Sequence, residues 1–430
     1  ASDLAEYWLD CIAYNFDEYG LHKTNLKKGL EPPVSGWYNN WFKNCMGSPI
    51  RSEIWACIAP GAPDIAARYA FEDSICDHAG GESVYGEIFN AVVESSAFII
   101  EDKFKLIEIG LNAIPEDSLT YQAISKTLEL YKKDVDWKKC RNLILDQFYN
   151  PIAQFSPLNL AFQTIGWLYG EDFGDAICKA VNCGWDTDCT GATLGAILGI
   201  IYGADNLPEK WMKPLGTEIS TNVKTGGIKN LKAPTDIEEL TEDVCNMGKK
   251  VLNYWNTDMK VTDSENLNQS TNINENKNYK DLLLSNFEFK SHLNYKPNTL
   301  KYNLNSLDVE LEYKETPAVT GDESTEFSIK ISNPHPEPVT LNTEIELPEG
   351  FSLKTNSPVK FELGKNSNIK LDYAVKADKE AIEMRNEGIF KINIEDRPAV
   401  SSIPLVFPGG FKWLVSPVYS NKEMKNDKSF

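Results

Sequence analysis

The sequence has no apolar run long enough to cross a bilayer. The strongest candidate, 193–202, is short and is broken by Gly195 and Gly199. The opening residues, Ala1-Ser2-Asp3-Leu4-Ala5-Glu6, carry neither a basic start nor an apolar signal core. There is no initiating Met, so an excised leader or a partial chain is expected. Positive charge is in deficit: 43 Lys and Arg stand against 63 Asp and Glu, a formal net charge of −20. That balance argues against a nucleic-acid partner and against an anionic membrane surface, both of which attract basic proteins. It leaves room for a nucleotide in a local pocket. No Cys-x-x-Cys pair occurs, and the nine cysteines all lie between Cys11 and Cys245. Reduced, packed thiols are expected rather than a disulfide framework, which favours a cytoplasmic over an exported location. Of the four histidines, His292 and His335 are isolated, the latter in the turn Pro334-His335-Pro336.

What is present divides in two. Hydrophobic residues at 42% and charged residues at 25% are ordinary for globular chains, and 430 residues are enough for two or three cores. Up to about residue 257 the apolar residues recur with helical period. Leu4, Tyr7, Trp8, Cys11 and Ile12 mark one face, and similar segments follow at 63–75, 83–100, 119–132, 137–148, 158–168, 173–181 and 237–255. Turn signals separate them, and Ser118 and Asp172 stand where N-caps are wanted. Residues 258–281 are polar and read as a linker. After it, apolar positions alternate: Val309, Leu311 and Tyr313, then Phe327, Ile329 and Ile331, then Ile345 and Leu347. The expected fold is an all-α domain of many short helices (1–257) followed by an all-β antiparallel sandwich (282–430).

One segment carries chemistry: Gly184-Trp185-Asp186-Thr187-Asp188-Cys189-Thr190-Gly191, just before an apolar helical stretch. Two carboxylates and a hydroxyl at i, i+2 and i+4 can converge, and oxygen donors of that kind suit Mg²⁺, Mn²⁺ or Ca²⁺. The competing reading of a single Asp there is a helix cap. An ordinary EF-hand is excluded, because its twelfth position, which needs a bidentate Glu, is Ile197. Gly191, Gly195, Gly199 and Gly203 recur every fourth residue and predict one closely packed helix face. His78 reads either as a hydrogen-bonded packing residue or as a ligand contact.

The segment from Gly184 to Gly199 resembles the C-terminal metal motif of the ADP-ribosylglycohydrolase family. The likeness extends to Ile50-Arg51-Ser52-Glu53-Ile54-Trp55, to Asp77-His78-Ala79-Gly80-Gly81-Glu82-Ser83-Val84-Tyr85-Gly86, and to Gly203-Ala204-Asp205-Asn206-Leu207-Pro208, covering roughly residues 3–251. It implies an all-α orthogonal helical domain and a metal-dependent hydrolase of the bond between ADP-ribose and a protein side chain or small leaving group, with two Mg²⁺ ions, Mn²⁺ being an alternative. On that basis Asp186 and Asp188 are expected in catalysis and metal binding, Thr190 as a further ligand, and His78, Gly80, Tyr85 and Gly86 at ADP-ribose. The family pattern has a hydroxyl residue where this chain has Cys189, and its first metal-binding segment has no counterpart here. An N-terminally incomplete chain with little or no catalysis as it stands is therefore expected. A binding or scaffold protein and a hydrolase of another ribosyl or sugar glycoside are the alternatives. The acidic pair Asp17-Glu18 is expected to be structural. The sandwich resembles the Ig-like or fibronectin-like modules appended to many bacterial hydrolases and offers a protein or carbohydrate contact; Trp413 reads as a docking or carbohydrate-contact residue or, by preference, as packing at a domain interface.

Overall fold

The computed structural model describes residues 1–221, 227–262, 293–304, 306–355 and 359–410. Most of the expected linker, His292 and Trp413 lie outside these residues. The chain forms two compact units, one made mainly of Asp3–Glu18 and Phe42–Tyr295, the other of Tyr19–Trp41 and the chain from Lys296 onward.

The first unit is helical. Its central helix, Glu82–Ala97, is buried on nearly every side and packs against Ser52–Ile58, Pro63–Asp77 and Lys103–Asn112. A second buried helix, Ser156–Tyr169, packs against Leu119–Lys132, Trp137–Phe148 and Phe173–Asn182. Close approach depends on small residues: a Cβ at Gly166 would lie 2.6 Å from the Cβ of Ala180. Ser118 and Asp172 cap their helices as expected, and Asp102, Asp136 and Asp236 do the same, each accepting from the second or third N–H of the helix that follows. The glycine face of helix Thr187–Tyr202 is only half as expected. Gly191 lies against Val181 and Gly195 against Ile177, but nothing lies within 4 Å of a Cβ at Gly199 or Gly203. Gly203, at φ +71°, ends the helix instead. All nine cysteines are free. No helix among the described residues is long and apolar enough to cross a membrane.

Among the described residues the second unit holds nine strands: β1 (Thr299–Leu304), β2 (Leu307–Tyr313), β3 (Thr325–Asn333), β4 (Val339–Glu346), β5 (Phe351–Leu353), β6 (Lys360–Leu363), β7 (Ser367–Ala377), β8 (Arg385–Ile394) and β9 (Val400–Pro408). They form two antiparallel sheets, β1-β2-β3-β7-β5 and β6-β4-β8-β9. The alternation determines which residues face inward. Val309, Leu311 and Tyr313 pair across β2 and β3 with Ile331, Ile329 and Phe327, and all six are buried. Tyr313 keeps its hydroxyl satisfied by donating to the Val406 carbonyl at 2.9 Å. The same core takes in Leu30, Val34 and Tyr38, from a segment whose helical period alone would place it with the helices.

Candidate active site

Helix Phe173–Asn182 ends in a tight turn that delivers Asp186 to the start of helix Thr187–Tyr202. Gly184 and Trp185 both have left-handed backbones, at φ +84° and +62°. For Trp185 this conformation costs on the order of 1–2 kcal/mol, and the surroundings offset it. The Trp185 indole donates to the Asn150 carbonyl at 2.9 Å, and its ring meets Tyr149 and Phe162 edge-on. Arg141 lies over Trp185 and Phe162 and donates to the Cys183 carbonyl. The Asp186 N–H donates to Asn159 Oδ1 at 3.0 Å. The turn is therefore held from four directions, and Asp186 inherits a fixed place.

Asp186 occupies the N-cap position, yet its side chain makes no capping hydrogen bond, unlike Asp102, Asp136, Asp172 and Asp236. It is only 7% exposed, and its Oδ2 is buried with no hydrogen-bond partner. Burial first, and then the nearby Asp188 charge, push its carboxyl up to about 6, against the opposing pull of the Cys189 thiol and N–H. One oxygen each of Asp186 and Asp188 and the sulfur of Cys189 lie within 4.8 Å of one another. Asp188 is exposed and Cys189 half-buried. Thr190 is buried, and its hydroxyl donates to the Thr187 carbonyl of its own helix at 3.1 Å.

Asp17 and Glu18 are close to this loop. The charges of Glu18, Asp17 and Asp186 all act on the Cys45 thiol, and Glu18 also acts on Cys189. Glu18 is 2% exposed, and its Oε2 has no partner. Its other oxygen lies 3.5 Å from His78 Nε2, and His78 Nδ1 lies 2.6 Å from Asp77 Oδ1. Asp77 in turn takes a two-pronged contact from Arg51, at 2.7 and 3.0 Å. A buried chain of charge thus runs from Arg51 through Asp77 and His78 to Glu18. An adjacent acidic pair in sequence carries no sign of this, because the groups around Glu18 come from distant segments.

His78 is fully buried between these two carboxylates. Burial alone would lower its pKa, but Asp77 and Glu18 overcome that and raise it from 6.5 to about 9. Because the folded value is the higher one, the stabilisation is complete below about 6.5 and is lost as pH rises through about 9. The difference in Tm between wild type and His78→Gln should accordingly shrink across that window. A difference constant from pH 6 to 9.5 would show that the ring carries no extra proton.

The other expected contacts fall differently. Gly80 is exposed at φ +73°, and its N–H donates to Tyr295 Oη at 2.7 Å. Tyr85 is half-buried, with its phenol pushed up by burial and by Glu82 and Asp117. Gly86 is buried in a helix contact, where a Cβ would meet Ser156, Leu160 and Pro49 at 2.7–2.9 Å. Gly81 is the tightest: a Cβ there would lie 1.8 Å from the Lys43 carbonyl oxygen. Since backbone cannot yield as a side chain can, Gly81→Ala should cost about 2 kcal/mol or more, read as a fall in Tm. An unchanged Tm would mean that the 42–45 segment moves freely.

A sequence profile described as ADP-ribosylglycohydrolase matches residues 2–251, more than half of the chain. An uncharacterized protein of Archaeoglobus fulgidus is 25% identical over 193 residues, 45% of this chain and 59% of that protein. The ADP-ribosylarginine hydrolase Tri1 of Serratia proteamaculans is 44% identical over 45 residues, 10% of this chain and 12% of that enzyme. The chain thus spans less than two thirds of the length of either relative. Among solved structures, a FixG-related protein from Vibrio parahaemolyticus aligns with 25% of this chain and 100% of its own at TM-score 0.22 and 10% identity. The yeast GGA1 GAE domain aligns with 26% of this chain and 98% of its own at TM-score 0.20 and 17% identity. Neither bears on the assignment, which rests on the profile: the chain belongs to the ADP-ribosylglycohydrolase family.

Proposed function

We propose that this protein hydrolyses the glycosidic bond joining ADP-ribose to a protein side chain or small leaving group, with a divalent cation held by Asp186 and Asp188. The observation that carries this reading is the buried, unpartnered Asp186 oxygen beside a second carboxylate. Such an arrangement is costly unless a positive charge completes it. The two carboxylates fit a divalent cation. Bound there, the ion would supply charge to orient ribose hydroxyls and to lower the pKa of a water.

The protein's own groups do the rest. The Arg141–Trp185 packing and the Asn159 bond fix Asp186. His78 and Asp77 hold Glu18 on the Cys45 and Cys189 side of the loop. The free Oε2 of Glu18 makes it the group to take a proton from the attacking water, and Asp17 adds a second acid beside it. His78, whose Nε2 lies 3.5 Å from the other Glu18 oxygen, acts through Glu18. Gly80 and Tyr85 border the loop assigned to ADP-ribose.

The named activity of Tri1 makes ADP-ribosylarginine the first substrate to test. The full chain should bind ADP-ribose in calorimetry only with a divalent cation present, and should release ADP-ribose from an ADP-ribosylated arginine peptide. Binding without release from any ADP-ribosylated substrate would favour a scaffold. Release from other ribosides alone would move the substrate class.

A further inference from the structure

We propose that Cys189 ligates the cation through its sulfur, so that the site favours a thiophilic divalent ion, of the zinc or cobalt(II) class, over magnesium. The inference rests on the reading of Asp186 and Asp188 as metal-holding and goes beyond it in naming the third donor and the ion class.

Three observations carry it. The Cys189 sulfur belongs to the same cluster as the two carboxylates, all three ligand atoms lying within 4.8 Å of one another. Among the described residues no other group of three His, Cys, Asp or Glu side chains meets that condition. The cluster also contains the buried, partnerless Oδ2 of Asp186, a donor already stripped of water and lacking a proton donor. Finally, the neighbouring hydroxyl, Thr190 Oγ1, donates to the Thr187 carbonyl. A helix advances about 100° per residue, so positions 186, 188 and 189 can reach one point from the first turn of Thr187–Tyr202.

The ligand chemistry then decides the ion. Magnesium demands an octahedron of hard oxygens and gains little from sulfur. Zinc and cobalt(II) accept mixed carboxylate and thiolate sets, and three protein donors with one open position is the arrangement of a catalytic zinc. On binding, the Cys189 S–H bond breaks, sulfur keeps the electron pair and donates it to the ion, and one proton passes to the solvent.

The test is cobalt(II) titrated into the reduced full-length chain, followed in the near-ultraviolet sulfur-to-metal charge-transfer band. Calorimetry in two buffers of different ionisation enthalpy counts the released proton. The wild type should develop the band and release about one proton per ion. Cys189→Ser should lose the band and weaken cobalt and zinc binding by at least roughly 10- to 100-fold, the loss known for outer-shell partners. Its magnesium affinity should stay within about twofold, since magnesium gains little from sulfur. Cys189→Ala and circular dichroism guard against a folding defect. Cobalt bound without the band, or a band that survives in Cys189→Ser, overturns sulfur ligation and leaves the carboxylate site standing. If no divalent ion binds in an Asp186-dependent way, the proposed function falls with it.

Discussion

Replacing Asp186 with Ala abolishes cation-dependent ADP-ribose binding, by at least about 100-fold, and leaves the metal-free protein no less stable than wild type. The two halves of this expectation have one cause. A carboxylate that capped a helix would be worth about 1 kcal/mol, and its loss would show in the melting temperature. Asp172 does cap, accepting from the Asp175 N–H at 2.8 Å, and Asp172→Ala should lose that amount. Asp186 sits at the equivalent position of the next helix, where its side chain makes no capping hydrogen bond and feels only the electrostatic pull of the Cys189 N–H and thiol. Its Oδ2 is buried without a partner, a state that costs roughly 1–3 kcal/mol. Removing it relieves that cost, so without metal Asp186→Ala should melt at or above the wild-type temperature. Calorimetric titration together with melting of both variants separates the roles. If Asp186→Ala loses stability as Asp172→Ala does and still binds cation and ADP-ribose, Asp186 is a cap and the candidate site is void.

Much of this was legible before any coordinates. The change from helical period to alternation places the sandwich strands, because a strand with one buried face must alternate, and Val309, Leu311 and Tyr313 do. Ser118 and Asp172 were readable as caps because capping is a local act of one side chain on the next turn. The Asp186 loop was readable for the same reason: its carboxylates are neighbours in sequence. Glu18 was not, since the groups that give it meaning, His78, Cys45 and Cys189, come from three distant segments. Leu30, Val34 and Tyr38 present an apolar stripe at helical spacing, but a stripe does not say which core it enters; here it is the core built by the strands. Gly199 and Gly203 show the opposite error, where regular spacing predicts a packed face and only the first half of the stripe meets a neighbour.

Arg51 is the residue on which the buried charges most depend, and Arg51→Ala is expected to cost about 3–5 kcal/mol. Its guanidinium bridges two helical positions at once, Nε to Asp73 at 2.9 Å and the two Nη groups to both oxygens of Asp77. Nη1 also donates to the Gly47 carbonyl, and the plane lies over Trp8. Asp77 is completely buried and Asp73 nearly so. Arg51 holds the Asp77 carboxyl well below the usual range, against a burial effect that alone would raise it. Around them the balance is already tight. Glu87 is pushed well upward, by burial first and then by the Asp73 charge, and takes a hydrogen bond from Ser48. With Arg51 gone, Asp77 would keep its contact with His78, and Asp73 would keep the Trp55 indole at 3.1 Å. For a unit of this size the cost corresponds to a fall in Tm of roughly 6–20 °C. Arg51→Lys should recover only part of it, because one ammonium cannot serve both carboxylates with a rigid fork. The double variant Arg51→Met with Asp77→Asn should recover more than Arg51→Met alone, since it removes the uncompensated charge as well as its partner. The same variants read the link to function. Cation affinity at Asp186 should survive in Arg51→Lys, whereas the pH-dependent difference assigned to His78 should diminish as Asp77 loses its anchor. A drop in Tm of less than about 2 °C for Arg51→Ala would mean that the network is solvated and that Glu18 is held by something other than this chain of charges.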